Sequence, residues 1–312
     1  MSIQSLFRKS LTFTIAVAAL SWGCGNSSPT DGSTKDGSTK DGSTKDGSSE
    51  TGEGSSAQQT IRLKKIFLAA PSPMETARII QKEGLPFNAE YLCSLSLAEQ
   101  DAMSAEHAIH LGLYAADVSY ATIYQKNAEA LQYLDAVKTL SKELGVGSIL
   151  SEDIVARAEE NRANKDTIVT IVSRAFFDLN QQLKSAGHED LSGLVVAAGW
   201  VEGLYLATRE LDGATDGLKQ RIAEQKLILE DVLDLIDSYS DSPAIESMIS
   251  QLQPVLIAFD GVESGEDAAP TVDNKEGVIV ISGGNELKAD DETILAISEA
   301  IALVRNNLAK AS

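Results

Sequence analysis

Leu191–Leu211 reads LSGLVVAAGWVEGLYLATREL. Between Leu191 and Ala207 the only charged residue is Glu202. A run this apolar is either a membrane span or a helix buried inside a bundle. A span takes about 20 apolar residues and avoids a charge at its centre. These 17 residues with a central glutamate read as a buried helix. Gly199, Gly203 and Ala207 form a seam of small side chains along it, with Glu202, Tyr205 and Arg209 beside the seam. A second helix carries a matching seam at Ala108, Gly112, Ala115, Ser119 and Thr122, spaced by three and four residues. Small residues at that spacing let two backbones approach closely, so the two helices are expected to pack seam to seam.

Outward from this pair, helical periodicity continues almost throughout. Apolar residues recur at three- and four-residue steps in Ser72–Glu83, Ser96–Gln125, Asn127–Leu144, Ser151–Asn164, Asp166–Ala186, Asp190–Asp212, Thr215–Ser240 and Pro243–Phe259. Gly145, Gly147, Gly187, Gly213 and Pro243 punctuate them, and Ser151 and Thr215 stand at helix starts. Short connections imply antiparallel neighbours. The acidic stretch Gly261–Gly277 breaks the pattern and reads as a loop. GVIVIS, then Gly283–Gly284, then NELKA predict a β-hairpin over about 277–289, and Asp290 or Asp291 would cap a final helix over about 291–310. The expected fold is mainly α: a multi-helix antiparallel bundle with one short C-terminal β-hairpin and a terminal helix.

Opposite the first seam lie His110, Tyr114, Asp117 and Tyr124, with His107 nearby. Seam-to-seam packing would gather His110, Tyr114, Asp117, Glu202 and Arg209 into one buried polar cluster. Buried charges must be paired, which makes a structural network such as Asp117 with Arg209 the first reading. A ligand pocket between helices 96–125 and 190–212, lined by Tyr114, Tyr120, Tyr124 and Trp200, is the second. A metal held by His107, His110 and Asp117 is the third. It is disfavoured, because di-metal bundles use Glu-x-x-His on two helices and none occurs here.

The N-terminus speaks to location. Arg8 and Lys9 precede the apolar run Leu11–Leu20, and Cys24 follows. A basic start, a short apolar core and small residues read as a signal peptide over residues 1–23. Cys24 resembles the lipidated cysteine of bacterial lipoproteins, although Ser21 and Trp22 replace the usual aliphatic and small residues before it. Ordinary secretion with Cys24 unmodified is the alternative. Gly25 after the cysteine, in place of Asp, resembles the outer-membrane default. DGSTK then repeats at Asp31, Asp36 and Asp41 and decays to DGSSE at Asp46. With no aliphatic side chain larger than Ala57, residues 24–58 read as a disordered tether. Its root-mean-square span as a Gly/Ser-like coil is about 30–35 Å. One Asp in five does not make a calcium loop, which needs several carboxylates and a closing Glu within 12 residues.

The remaining 59–312 reads as the helical domain. The whole chain has 26 Lys and Arg against 46 Asp and Glu. Setting aside the two basic residues before Cys24, and the three Lys and six acids of the tether, leaves 21 against 40, or −19. Phosphate backbones and anionic lipid surfaces repel such a domain. Nucleic acid is therefore excluded as a partner, and membrane contact is assigned to the anchor. A single further cysteine, Cys93, rules out a disulfide framework and a cysteine-based zinc site and reads as a small buried hydrophobe. No GxSxG, HExxH or GxGxxG motif is present, His188 reads as a loop histidine, and no cofactor is implied.

PSPMETARIIQKEG (Pro71–Gly84) and HLGLYAADVSYATIYQKNAEALQYLDAVKTLSKELGVG (His110–Gly147) resemble an uncharacterised family of helical lipoproteins from Bacteroidetes-type bacteria. The resemblance implies a lipoprotein with a helical domain and carries no activity, cofactor or partner. The expected function is non-catalytic binding or scaffolding by a lipid-anchored protein at the outer membrane, facing the periplasm or the surface. A solute-binding module is the alternative.

Overall fold

The computed structural model describes residues 73–150, 152–161, 164–265, 271–275, 278–282 and 287–310. All lie in the unit Thr51–Ser312; the unit Met1–Glu50 falls outside the described residues, as do the signal-peptide, Cys24 and tether readings, Ser151 and Gly283–Gly284. Nine helices are described: α1 (Pro73–Lys82), α2 (Ser104–Ile123), α3 (Asn127–Glu143), α4 (Glu152–Glu160), α5 (Lys165–Ser185), α6 (Glu189–Ala207), α7 (Asp216–Asp237), α8 (Pro243–Ala258) and α9 (Asp291–Leu308). The fold is a mainly α bundle with one short β-hairpin followed by a terminal helix.

The helices begin where local chemistry satisfies their first N–H groups. Asn164 Oδ1 accepts from Thr167 N at 3.1 Å, Thr215 Oγ1 from Leu218 N at 3.0 Å, and Asp290 Oδ1 from Thr293 N at 2.8 Å. The helix expected from Ser96 starts instead at Ser104. Leu95–Glu99 forms a 3₁₀ turn, opened by Ser94 Oγ accepting from Ser96 N at 3.3 Å. Gln100 is extended, and Glu106 Oε2 accepts from Met103 N at 3.1 Å to cap the new start. A polar run with local side-chain partners outweighs the apolar spacing there.

The α2–α6 pair forms the centre, and α3, α5, α1, α7, α8 and α9 pack around it. Sixteen of the twenty residues of α2 and fifteen of the nineteen of α6 are buried. By length and composition α6 is apolar enough to cross a membrane, but 83% of that window is buried inside the protein, as a central bundle helix requires. At Gly112 the two backbones nearly touch. A Cβ there would overlap the Val195 carbonyl oxygen and lie 2.9 Å from Ala198 Cβ and 3.0 Å from Gly199 N. Gly199 therefore serves the expected seam. Gly203 does not: its open side faces Thr76 of α1, at 3.1 Å. Four residues advance a helix face by about 40°, enough to carry Gly203 to a different neighbour.

The hairpin differs from expectation in its partners. Strand β2 (Thr271–Lys275) pairs antiparallel with β3 (Val278–Ser282), Thr271 opposite Ser282 and Lys275 opposite Val278. Strand β4 (Leu287–Lys288) pairs instead with β1 (Glu263–Ser264). So VIVIS is a strand as expected, but it pairs backwards with TVDNK inside the stretch read as a loop, not forwards with NELKA. Thr and Val favour a strand, whereas NELKA has no β-branched residue. Two residues ending in Gly277 separate the paired strands, which is also a hairpin spacing.

Candidate buried polar site

Four elements meet beside the α2–α6 seam. Asp117 sits in the middle of α2 and Glu202 near the end of α6, both with no exposed surface. Arg305 comes from the last turn of α9, and Cys93 from the segment before α2. Arg305 grips Glu202 with two N–H groups, Nε to Oε2 at 2.9 Å and Nη2 to Oε1 at 3.2 Å. The same Nη2 donates to the Tyr91 carbonyl at 3.0 Å and to Cys93 Sγ at 3.1 Å. A bidentate fork of this kind is among the stronger pairings a buried carboxylate finds.

Asp117 has no cation of its own. Its Oδ2 accepts from the Cys93 backbone N–H at 3.1 Å, while no donor reaches Oδ1. Burial first, and the neighbouring Glu202 charge second, hold the Asp117 carboxyl well above the usual carboxylate range. Two carboxylates in a dry site with one arginine cannot both ionise. Asp117 keeps its proton, and Glu202 carries the charge that Arg305 neutralises. Burial also raises Glu202, opposed by Arg305, and pushes the Cys93 thiol well up. Burial works against the Arg305 charge, but the Glu202 carboxylate more than offsets it, so the guanidinium stays ionised.

Tyrosines hold the Cys93 segment in place. Tyr114 donates its hydroxyl to the Ser94 carbonyl at 2.6 Å, Tyr120 to Pro86 at 3.1 Å, Tyr124 to Leu85, and Tyr133 of α3 to the carbonyl of Cys93 itself. Tyr120 also accepts from the Asn88 N–H at 3.0 Å. The tyrosines expected to line a pocket are thus bound to backbone. Trp200 is elsewhere, donating Nε1–H to Gln225 Oε1 of α7 at 3.1 Å.

Of the five residues expected to cluster, Asp117 and Glu202 converge, and Tyr114 braces the neighbouring segment. His110 is not drawn into that group, and the Arg209 hydrogen bonds go to Tyr205, Thr208 and Ser298 instead. His110 is buried two turns before Asp117 with no partner at Nδ1, and burial lowers its pKa, leaving it neutral. Arg209 Nη2 donates to the Ser298 carbonyl and hydroxyl, both at 2.9 Å, tying the end of α6 to α9. Both Arg209 and Arg305 lie over the Tyr205 ring, 4.3 and 4.5 Å from its centroid. Among the described residues, His107, His110 and Asp117, the disfavoured metal triad, do not come together. His107 Nε2 pairs with the Gln100 carbonyl at 3.3 Å.

Two members of the site escaped the sequence reading. Arg305 follows Ile294, Ser298 and Ile301 on the buried face of α9, so a cation at a core position was the available signal. AEYLCSLSL offers no such signal for Cys93: its burial is legible, but the charges beside its sulfur are not.

Comparison with protein-family models, curated proteins and solved structures gave no match.

Proposed function

We propose that this chain is a lipid-anchored cell-envelope protein whose helical unit binds or scaffolds other molecules without catalysis. The observation that carries the reading is the order of three segments: a basic and apolar start closing at Cys24, the DGSTK repeat, and then a folded helical unit. Acylated Cys24 would hold the chain at the outer membrane. As a flexible spacer the repeat would let an acidic unit stand off from anionic lipid. A protein presented in this way acts through its surface, facing the periplasm or the exterior. The sequence resemblance to helical lipoproteins from Bacteroidetes-type bacteria fits the anchor and the helical unit and carries no activity or partner.

Fractionation of cells making the full chain tests it. The protein should sediment with membranes and carry a diacylglyceryl mass on Cys24, and Cys24→Ser should move to the soluble fraction. Recovery of the unmodified chain as soluble protein would overturn the anchor.

One observation favours the alternative, a small-ligand module centred between α2 and α6. Asp117 Oδ1 and His110 Nδ1 are both buried on α2 without a hydrogen-bond partner, and such atoms are exceptions in folded proteins. The backbone approach at Gly112 leaves no room there for an organic solute. Ligands on this reading are therefore small.

A further inference from the structure

Cys93, Asp117 and Glu202 each offer a donor atom, and the three lie within 4.8 Å of one another with all three residues buried. They come from separate elements: the segment ahead of α2, the centre of α2, and α6. Acidic surface clusters lack this enclosure. The decisive observation is Asp117, a member of this group of donors, whose Oδ1 is buried and receives no hydrogen bond.

We propose that Cys93 Sγ, an Asp117 carboxylate oxygen and a Glu202 carboxylate oxygen bind one divalent first-row transition-metal ion of the zinc type, a mixed site with one thiolate that corrects the expectation that a lone cysteine excludes zinc. The location rests on the small-ligand reading above and is independent of the lipid anchor. A thiolate with two carboxylates selects a borderline cation over magnesium or calcium, which take oxygen ligands. Bonds of about 2.0–2.3 Å to oxygen and sulfur put tetrahedral donors about 3.3–3.7 Å apart. Closing these three donors from within 4.8 Å of one another to that spacing asks side chains to adjust. A second carboxylate oxygen or a water completes the coordination.

The charge count closes. Ionised, the thiol and the two carboxyl groups supply three anions, their protons passing to solvent; against them stand Arg305 and one dication, so the buried net charge is zero. Arg305 becomes an outer partner, its Nη2 already 3.1 Å from Sγ and 3.2 Å from Glu202 Oε1. Such donors commonly orient metal ligands. The tyrosine-braced Cys93 segment supplies the rigidity that a preformed site needs.

The test uses the full chain, stripped with chelator and titrated with Co²⁺ alone and then with buffered Zn²⁺. One equivalent of Co²⁺ should give a thiolate-to-cobalt charge-transfer absorption. It should persist in Cys24→Ser and vanish in Cys93→Ser. Asp117→Asn, which keeps the shape and the Cys93 N–H contact, should weaken Zn²⁺ binding at least about tenfold, with circular dichroism confirming a folded bundle. Absence of the band in the wild-type chain overturns the proposal even if every variant misfolds. So does a band that follows Cys24, or Zn²⁺ affinity unchanged in folded Asp117→Asn. Because none of these readouts involves membrane attachment, failure here and failure of the anchor are distinguishable.

Discussion

The α2–α6 seam has two parts five residues apart. At Gly112 the helices meet through backbone, with nothing polar between them except the peptide groups themselves. At Asp117 they meet through carboxyl groups with no exposed surface. The first part causes the second. Backbones this close leave no channel for water, so whatever the next turn carries is desolvated with them. The charge problem is then solved from outside the pair, by an arginine on α9 and a proton on Asp117. Close packing of small residues and buried ionisation are two consequences of one helix approach.

The sharpest way to break the charged part is Arg305→Met. Removing one partner of a buried pair leaves an uncompensated carboxylate, for a loss of about 3–5 kcal/mol. Urea unfolding in the presence of chelator should show it, and a loss below about 1 kcal/mol would mean that Glu202 is protonated in the native protein. The apolar part breaks at Gly112→Ala. The new methyl group meets the Val195 carbonyl, not a movable side-chain end, and should cost about 2–3 kcal/mol as overpacking. If the two parts are linked as argued, this variant should also let solvent reach Asp117.

Two smaller effects sharpen the contrast. Just past α2, Gln125 adopts a left-handed backbone with φ of 57°, while the following Lys126 N–H donates to the Ala121 carbonyl at 2.8 Å. Glycine suits that conformation, so Gln125→Gly should raise stability by about 0.5–1 kcal/mol, net of the looser unfolded chain. An unchanged or lower midpoint would show that the Gln125 side chain contributes more than the strain costs.

The last effect is one of slope. Asp117 binds its proton more tightly folded than unfolded, so its contribution is full below the unfolded value of about 3.9. It fades as pH rises through the raised folded value. Asp117→Asn, measured in chelator, should therefore unfold at nearly the wild-type denaturant midpoint in acid and lose less stability than wild type on the way to neutral pH. Parallel pH profiles for the two would place the shared proton elsewhere.

Much of this was legible in the residues. The apolar run around Glu202 announced a buried helix, and small residues at three- and four-residue steps announced its partner. Asp117 and Glu202 stood out because charge on a buried face needs an explanation. The partner was misassigned because Arg209 lies just past the end of α6, close to Glu202 in sequence, whereas Arg305 is 103 residues from Glu202. Periodicity is local, and it says which face a residue occupies but not which distant helix will face it. The hairpin went wrong for the same reason: VIVIS announces a strand, while its partner depends on a competition between TVDNK and NELKA that no single segment decides. His110 shows a further gap, since sharing a helix face with Asp117 still left it two turns away.

The grip of Arg305 also has a consequence in time. One guanidinium joins Glu202 to the Tyr91 carbonyl, 214 residues earlier in the chain than Arg305 itself. A chain made from its N-terminus has α2 and α6 long before it has α9. Until that helix arrives, closing the central pair buries the Glu202 carboxyl without its guanidinium, and contacts this distant are slow to form. The bundle therefore completes late, only once its last turn has emerged. For a chain proposed to be threaded across a membrane before it folds, that delay keeps it in a form that can still be threaded.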